Sequence, residues 1–134
     1  MPTVKADARR VPGRVAILRQ RDYLIATVQG DLSDEEIVAL RDDLAERVGR
    51  YRARAIIVDV TAFDVIDSFV ARSLRALAIT ARLRGARTVV VGIQPDVAIA
   101  MVQFRIDLAP LVTALDLDEA LRILDATPRR AHDG

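Results

Sequence analysis

The apolar and polar positions of this chain switch between two periods. Val15 to Gln20 and Tyr23 to Val28 are apolar runs separated only by Arg21-Asp22, which predicts a β-hairpin. Gly30-Asp31 breaks the second run. Ser33-Asp34-Glu35-Glu36 follows as a capping box, with Ser33 as N-cap and Glu36 three residues on. Ile37, Leu40, Leu44 and Val48 then recur along one stripe of a first helix, which Gly49 is expected to end. Ala55 to Val60, centred on Ile56-Ile57-Val58, is apolar at successive positions, the pattern of a strand buried on both faces.

A second helical period starts near Asp67-Ser68. Val70, Leu74, Leu77 and Ala81 form its buried stripe over residues 68–84, with Gly85 as the stop. At about 100° per residue, Ser68, Arg72, Arg75, Ile79 and Arg82 fall on the opposite side. Thr88 to Gly92 reads as another buried strand. Pro95 suits the first turn of a third helix, because its missing N–H would have had no partner there. Val97, Met101, Phe104 and Leu108 make one face of that helix, which Pro110 is expected to stop. Ile99, Val102 and Ile106 make a second apolar stripe. Such a stripe either packs against another chain or lies deeper in its own domain, and spacing alone leaves both open. A short strand over Leu111 to Leu115 and a helix starting at Asp116 or Asp118, burying Leu117, Ala120, Leu121 and Leu124, complete the chain.

The resulting ββαβαβαβα order predicts one α/β domain: a mostly parallel sheet with one antiparallel N-terminal strand and helices packed on it. The first strand–helix–strand unit is expected to cross over with a right hand. Residues 1–13 read as a flexible polar arm, 14–125 as the domain and 126–134 as a flexible tail.

Composition narrows the function. At 134 residues, 51% apolar and 29% charged, the chain has the balance of one globular domain. A net charge of +1 lacks the one-signed excess of a nucleic-acid binder. No run is long enough to span a bilayer, no signal-peptide h-region is visible, and cysteine is absent, so the expected location is cytoplasmic. The only lysine is Lys5 and the only histidine His132, both in the polar ends. With no internal lysine, histidine or cysteine, enzyme chemistry would run on carboxylates, hydroxyls and arginine alone, so neither catalysis nor a cofactor is expected.

Two constellations remain. Ser68 stands at a helix start on the polar side. It reads either as an N-cap or, with Asp67 capping instead, as a phosphoacceptor favoured by the helix dipole and by Arg72 one turn along. Asp59, Asp64 and Asp67 resemble the acidic cluster of Mg²⁺-binding phosphoaspartate receivers, but that chemistry needs an acidic pair on an early strand and a late lysine. The chain offers Gln29 and Asp31 and no such lysine, so turn and cap roles are expected for the three, with no metal. The arginine row reads as a solvated face or an anion patch.

With this element order, Ile66-Asp67-Ser68-Phe69 at the second helix and Gly92-Ile93-Gln94-Pro95-Asp96-Val97-Ala98 before the third, the chain resembles the STAS domains of anti-sigma-factor antagonists. The likeness, over about Arg14 to Leu124, is greatest to the stressosome scaffold proteins of the RsbS type. Generic antagonists follow the serine with a second small hydroxyl residue and a glycine; Phe69 and Val70 stand here instead, as in the stressosome branch. The resemblance implies that Ser68 is phosphorylated by a serine/threonine switch kinase of the RsbT type, with Asp67 as cap or kinase-recognition residue. It implies that the unphosphorylated protein holds that kinase in a large complex with RsbR-type paralogues, as a homodimer or higher oligomer. Phe69, Arg72, Arg75, Ile99 and Val102 are the expected partner surface, with no nucleic acid and no membrane involved. The alternatives are a small anti-anti-sigma factor binding an anti-sigma kinase directly, or a STAS module sensing a small ligand.

Overall fold

The structure, a computed structural model, describes residues 13–126; Lys5, His132 and nearly all of the expected arm and tail lie outside them. Strands β1 (Val15–Gln20) and β2 (Tyr23–Val28) form an antiparallel hairpin closed by Arg21 and Asp22. Then follow α1 (Asp34–Tyr51), β3 (Ala55–Asp59), α2 (Ser68–Leu83), β4 (Arg87–Val91), α3 (Pro95–Gln103), β5 (Val112–Ala114) and α4 (Leu117–Ala126). The sheet order is β1-β2-β3-β4-β5, parallel from β2 onward. The expected order of elements is present in full.

Each crossover moves one strand further in the same direction, so crossovers of one hand put α1, α2 and α3 on the same face. Their side chains share a core: Leu44, Leu77, Val97 and Met101 lie in one cluster with Ile56, Val58 and Val90 of the sheet. The terminal helix, free of that constraint, covers the other face, where Ala120 and Leu124 pack on Ile57, Val89 and Val91. Successive β3 residues thus enter opposite cores, which is why Ile56-Ile57-Val58 shows no alternation. Full burial of each large aliphatic here contributes about 1.5–3 kcal/mol.

Two expected helix ends are corrected. Gly49 does not stop α1, which runs to Tyr51; Arg52 closes it in the left-handed region at φ 51°. Gly49 instead serves packing: a Cβ there would come 2.9 Å from Nη1 of Arg84, and that group donates to the Ala45 carbonyl at 2.8 Å. The third helix ends at Gln103, well short of Pro110, because Arg105 adopts φ 55° and reverses the chain. Its Val97–Met101 face therefore does not continue. Phe104 swings out to 75% exposure, while Leu108 reaches the core from the loop and Ile106 packs against it. Smaller differences are that β4 starts at Arg87 and that β5 spans only Val112–Ala114.

Candidate functional site at the C-terminal ends of the parallel strands

The loop from β3 to α2 is held at three places. Phe63 and Ile66 are buried in the core and fix its path. Its start is an Asx turn: Asp59 Oδ1 accepts from the Thr61 N–H at 2.9 Å and from Thr61 Oγ1 at 2.6 Å. Its middle is tied sideways, the Asp64 N–H donating to Asp31 Oδ1 at 3.0 Å. Gln94 Nε2 donates to the Thr61 carbonyl at 3.2 Å, so the loop before α3 braces the same segment. Gly92 makes that approach possible: it sits at φ 82°, and a Cβ would collide with Thr61 Oγ1 and come 3.1 Å from Asp59 Oδ1. The hydrophobic pattern marks Gly92 only as a strand boundary; its contact with Thr61 is long-range and carries no local signal. The braces Asp31, Thr61 and Gln94 were missed for the same reason.

The braced loop delivers α2 with a division of labour at its first turn. Asp67 is extended at φ −88°, ψ −179°, and its Oδ1 accepts from the Val70 N–H at 2.9 Å. Asp67 is the N-cap. Ser68, the first helical residue, is exposed, and its hydroxyl makes no hydrogen bond among the described residues. Arg72 is exposed one turn along and likewise unpaired. Arg75 is half-buried and donates from Nη1 to the Asp107 carbonyl at 3.0 Å, which ties α2 to the loop after α3. Phe69 is half-buried against the core, so only part of its ring is offered outward.

On α3, Val97 and Met101 point inward, and Ile99 and Val102 fall on the opposite side, 59% and 79% exposed. The second stripe thus faces out, less Ile106 and joined by Phe104. Asp59, Asp64 and Asp67 do not converge: Asp59 is engaged by Thr61 and Asp67 by Val70. Among the described residues no group of three or more acidic or histidine side chains is placed to hold a metal. At α1, the capping box is formed in both directions, and Arg14 Nη2 pairs with Glu36 Oε1 at 2.8 Å. The Ser33 backbone N–H, and then Arg14, hold the Glu36 carboxyl below the ordinary glutamate range. What the site presents is a free hydroxyl on a rigid, acid-rich end of the sheet, with one unpaired arginine beside it.

Residues 14–120 match the family model of the STAS domain. The chain belongs to the STAS domain family. It is 28% identical over 102 residues to the RsbT co-antagonist protein RsbRA of Bacillus subtilis (strain 168), covering 75% of this chain and 37% of that protein. The chain spans about a third of the length of the curated relatives it matches. Among solved structures it resembles a serine-to-glutamate variant of Moorella thermoacetica RsbS. That match has a TM-score of 0.71 and 30% identity, over 84% of this chain and 96% of the other. A chain from the molecular architecture of the stressosome, described as a signal integration and transduction hub, matches with a TM-score of 0.65 and 29% identity, over 82% and 96%. This STAS domain is therefore related to both the RsbS and the RsbR proteins of the stressosome. No helix among the described residues is long and apolar enough to cross a membrane.

Proposed function

We propose that this protein is a non-catalytic STAS regulator of a stressosome-type complex, acting through its domain at residues 14–125. It holds a serine/threonine switch kinase of the RsbT type and releases it when Ser68 is phosphorylated. The observation that carries this reading is the first turn of α2: Asp67 takes the capping bond, and the Ser68 hydroxyl is left exposed and unbonded. A phosphate there would carry about −1.5 to −2 charges and meet the free N–H groups of the helix start, with Arg72 within one turn. That charge enters an end of the molecule already crowded with carboxylates, so a partner fitted to the neutral serine faces an altered field at its contact surface.

The relatives support the setting: two are named RsbT co-antagonists and one structure is that of a stressosome. RsbR-type paralogues in a large cytoplasmic complex are accordingly the proposed partners. The outward ridge of Ile99 and Val102, with Phe104, is the proposed packing surface within that complex, and Phe69 and Arg72 the kinase-facing one. Arg75 borders the latter, held by Asp107. An apolar cavity between α1, α2 and the sheet has a volume of about 10 Å³. That is room for roughly one water.

The experiment is kinase retention on immobilised protein. Ser68→Ala should keep the fold and hold the kinase in the presence of ATP, and Ser68→Asp should retain it at least about tenfold less well, the scale of one lost charge-sensitive contact. Equal retention by Ser68→Asp and wild type would sink the charge-switch reading.

A further inference from the structure

The topology sorts charge into two poles. Because β2 to β5 are parallel, every connection leaving a C-terminal end emerges on the Ser68 side, and every connection entering an N-terminal end emerges opposite. The four connections of the Ser68 pole, residues 29–36, 59–67, 92–96 and 115–119, contain eleven carboxylates and no lysine or arginine. At the far pole, residues 19–22, 50–55 and 82–87 contain eight arginines and one carboxylate, Asp22; the fourth connection there, 104–111, adds Arg105 and Asp107, and Asp125 at the end of α4 accepts from the Tyr23 hydroxyl at 2.8 Å. These three segments form one continuous surface: the Arg54 N–H donates to the Asp22 carbonyl at 2.7 Å, and the Arg87 N–H to the Arg54 carbonyl at 3.0 Å. A net charge of +1 conceals this separation.

Acids at helix starts and arginines at helix ends suit the helix dipoles, and that accounts for part of the sorting. At about half a charge per terminus, however, four helices offset only about two charges at each pole. Internal pairing offsets little more. At the arginine pole, Arg54–Asp22 spans 3.8 Å and Arg50–Glu46 spans 3.4 Å, while Arg52 and Arg82 are exposed and unpaired among the described residues. The dipoles also leave the apolar residues unexplained. Leu83, between Arg82 and Arg84, is 84% exposed; at the acidic pole Val65, beside Asp64, and Leu115, beside Asp116, are 59% and 80% exposed. An aliphatic anchor ringed by one sign of charge, matched by anchors ringed by the other, is the composition of two halves of an interface.

We infer that the arginine pole is a docking surface for the acidic pole of a second copy of this chain. The contact is head-to-tail, steered by opposite charge and anchored on Leu83. Being heterologous, it extends into open chains or rings and does not close as a two-fold dimer. It stands apart from the phosphorylation reading, though a copy seated on the acidic pole covers Ser68 and so excludes a kinase there.

Sedimentation velocity on the full chain tests it. Wild type should self-associate at about 50 mM NaCl and dissociate by about 500 mM, its apparent Kd rising at least about tenfold. Arg82→Glu and Asp64→Arg, each at an exposed side chain, should both be monomeric at low salt. Their equimolar mixture should associate again, since the intact acidic pole of the first meets the intact arginine pole of the second. Leu83→Ser should weaken association with the salt slope kept. A wild type monomeric at low salt, or association indifferent to both charge reversals, overturns the inference. Monomeric variants that fail to recover on mixing overturn it as well, and so does a wild type that stops at the dimer at every concentration, which marks a two-fold contact. A labelled DNA duplex bound by monomeric wild type and released by Arg82→Glu would reassign the pole to nucleic acid.

Discussion

Asp67 and Ser68 are adjacent, and either residue type is a good N-cap, yet the structure gives them separable roles that unfolding can measure. In Asp67→Ala the Val70 N–H loses its acceptor at 2.9 Å. Loss of an N-cap of this kind costs about 1 kcal/mol, within a range of about 0.5–2. The lost carboxylate at the positive end of α2 adds about 0.3–1 kcal/mol. The expected total is about 1.5 kcal/mol. Ser68→Ala removes an exposed hydroxyl with no partner and puts a better helix former at the first helical position, so its change should stay within about 0.5 kcal/mol, on the stabilising side. Asp67→Asn keeps an acceptor and loses only the charge, so it should fall between the two. Urea unfolding followed by circular dichroism, with m unchanged across the set, gives the three values. If Ser68→Ala cost more than about 1 kcal/mol while Asp67→Ala cost nothing, serine would be the cap and the free-hydroxyl reading would fail.

Three further outcomes follow from particular contacts. Val102→Asp, at a side chain 79% exposed, should leave stability within about 0.5 kcal/mol while abolishing co-elution with RsbR-type paralogues; loss of the native fold would instead mark Val102 as core. Thr88→Val should stabilise by about 1 kcal/mol in urea, since Thr88 Oγ1 is buried without a hydrogen-bond partner among the described residues and valine fills the same space; a destabilised variant would reveal a partner for that hydroxyl. The Glu36 carboxyl is held low by the Ser33 N–H and then Arg14, so its stabilising effect is full above its unfolded-state pKa and is lost as pH falls through the lower folded value. The urea midpoint of wild type should therefore drop more steeply than that of Glu36→Gln between about pH 5 and about pH 3, and parallel curves would refute the assignment.

The order of elements was legible in the sequence because each one carries a complete local signal. Ser33 and Glu36 form their capping box, and Ile37, Leu40, Leu44 and Val48 are all buried. The failures occurred where a local signal competed with packing at a distance. Gly49 resembles a helix stop, but it serves to admit Arg84 from a neighbouring helix. Phe104 and Leu108 continue the spacing of Val97 and Met101 only in number, because Phe104 is the C-cap at which the helix ends and the left-handed Arg105 separates Leu108 from it. Whether Ile99 and Val102 are inward or outward was undecidable from periodicity, since both sides of α3 are apolar. At the site, Ser68 and Asp67 could be placed from the helix start alone. The braces from Asp31 and Gln94 could not, because they join loops more than thirty residues apart in sequence.

The central claim is that Ser68 is the switch, and phosphopeptide mapping tests it most directly. The protein is incubated with ATP and host cytosolic extract, beside a Ser68→Ala control, in an extract shown to phosphorylate an RsbR-type paralogue. A phosphate on the peptide containing Ser68, absent from the control, is the expected result. A paralogue phosphorylated while Ser68 stays unmodified would contradict the account, leaving the STAS fold in place and reducing Ser68 to the first residue of a helix.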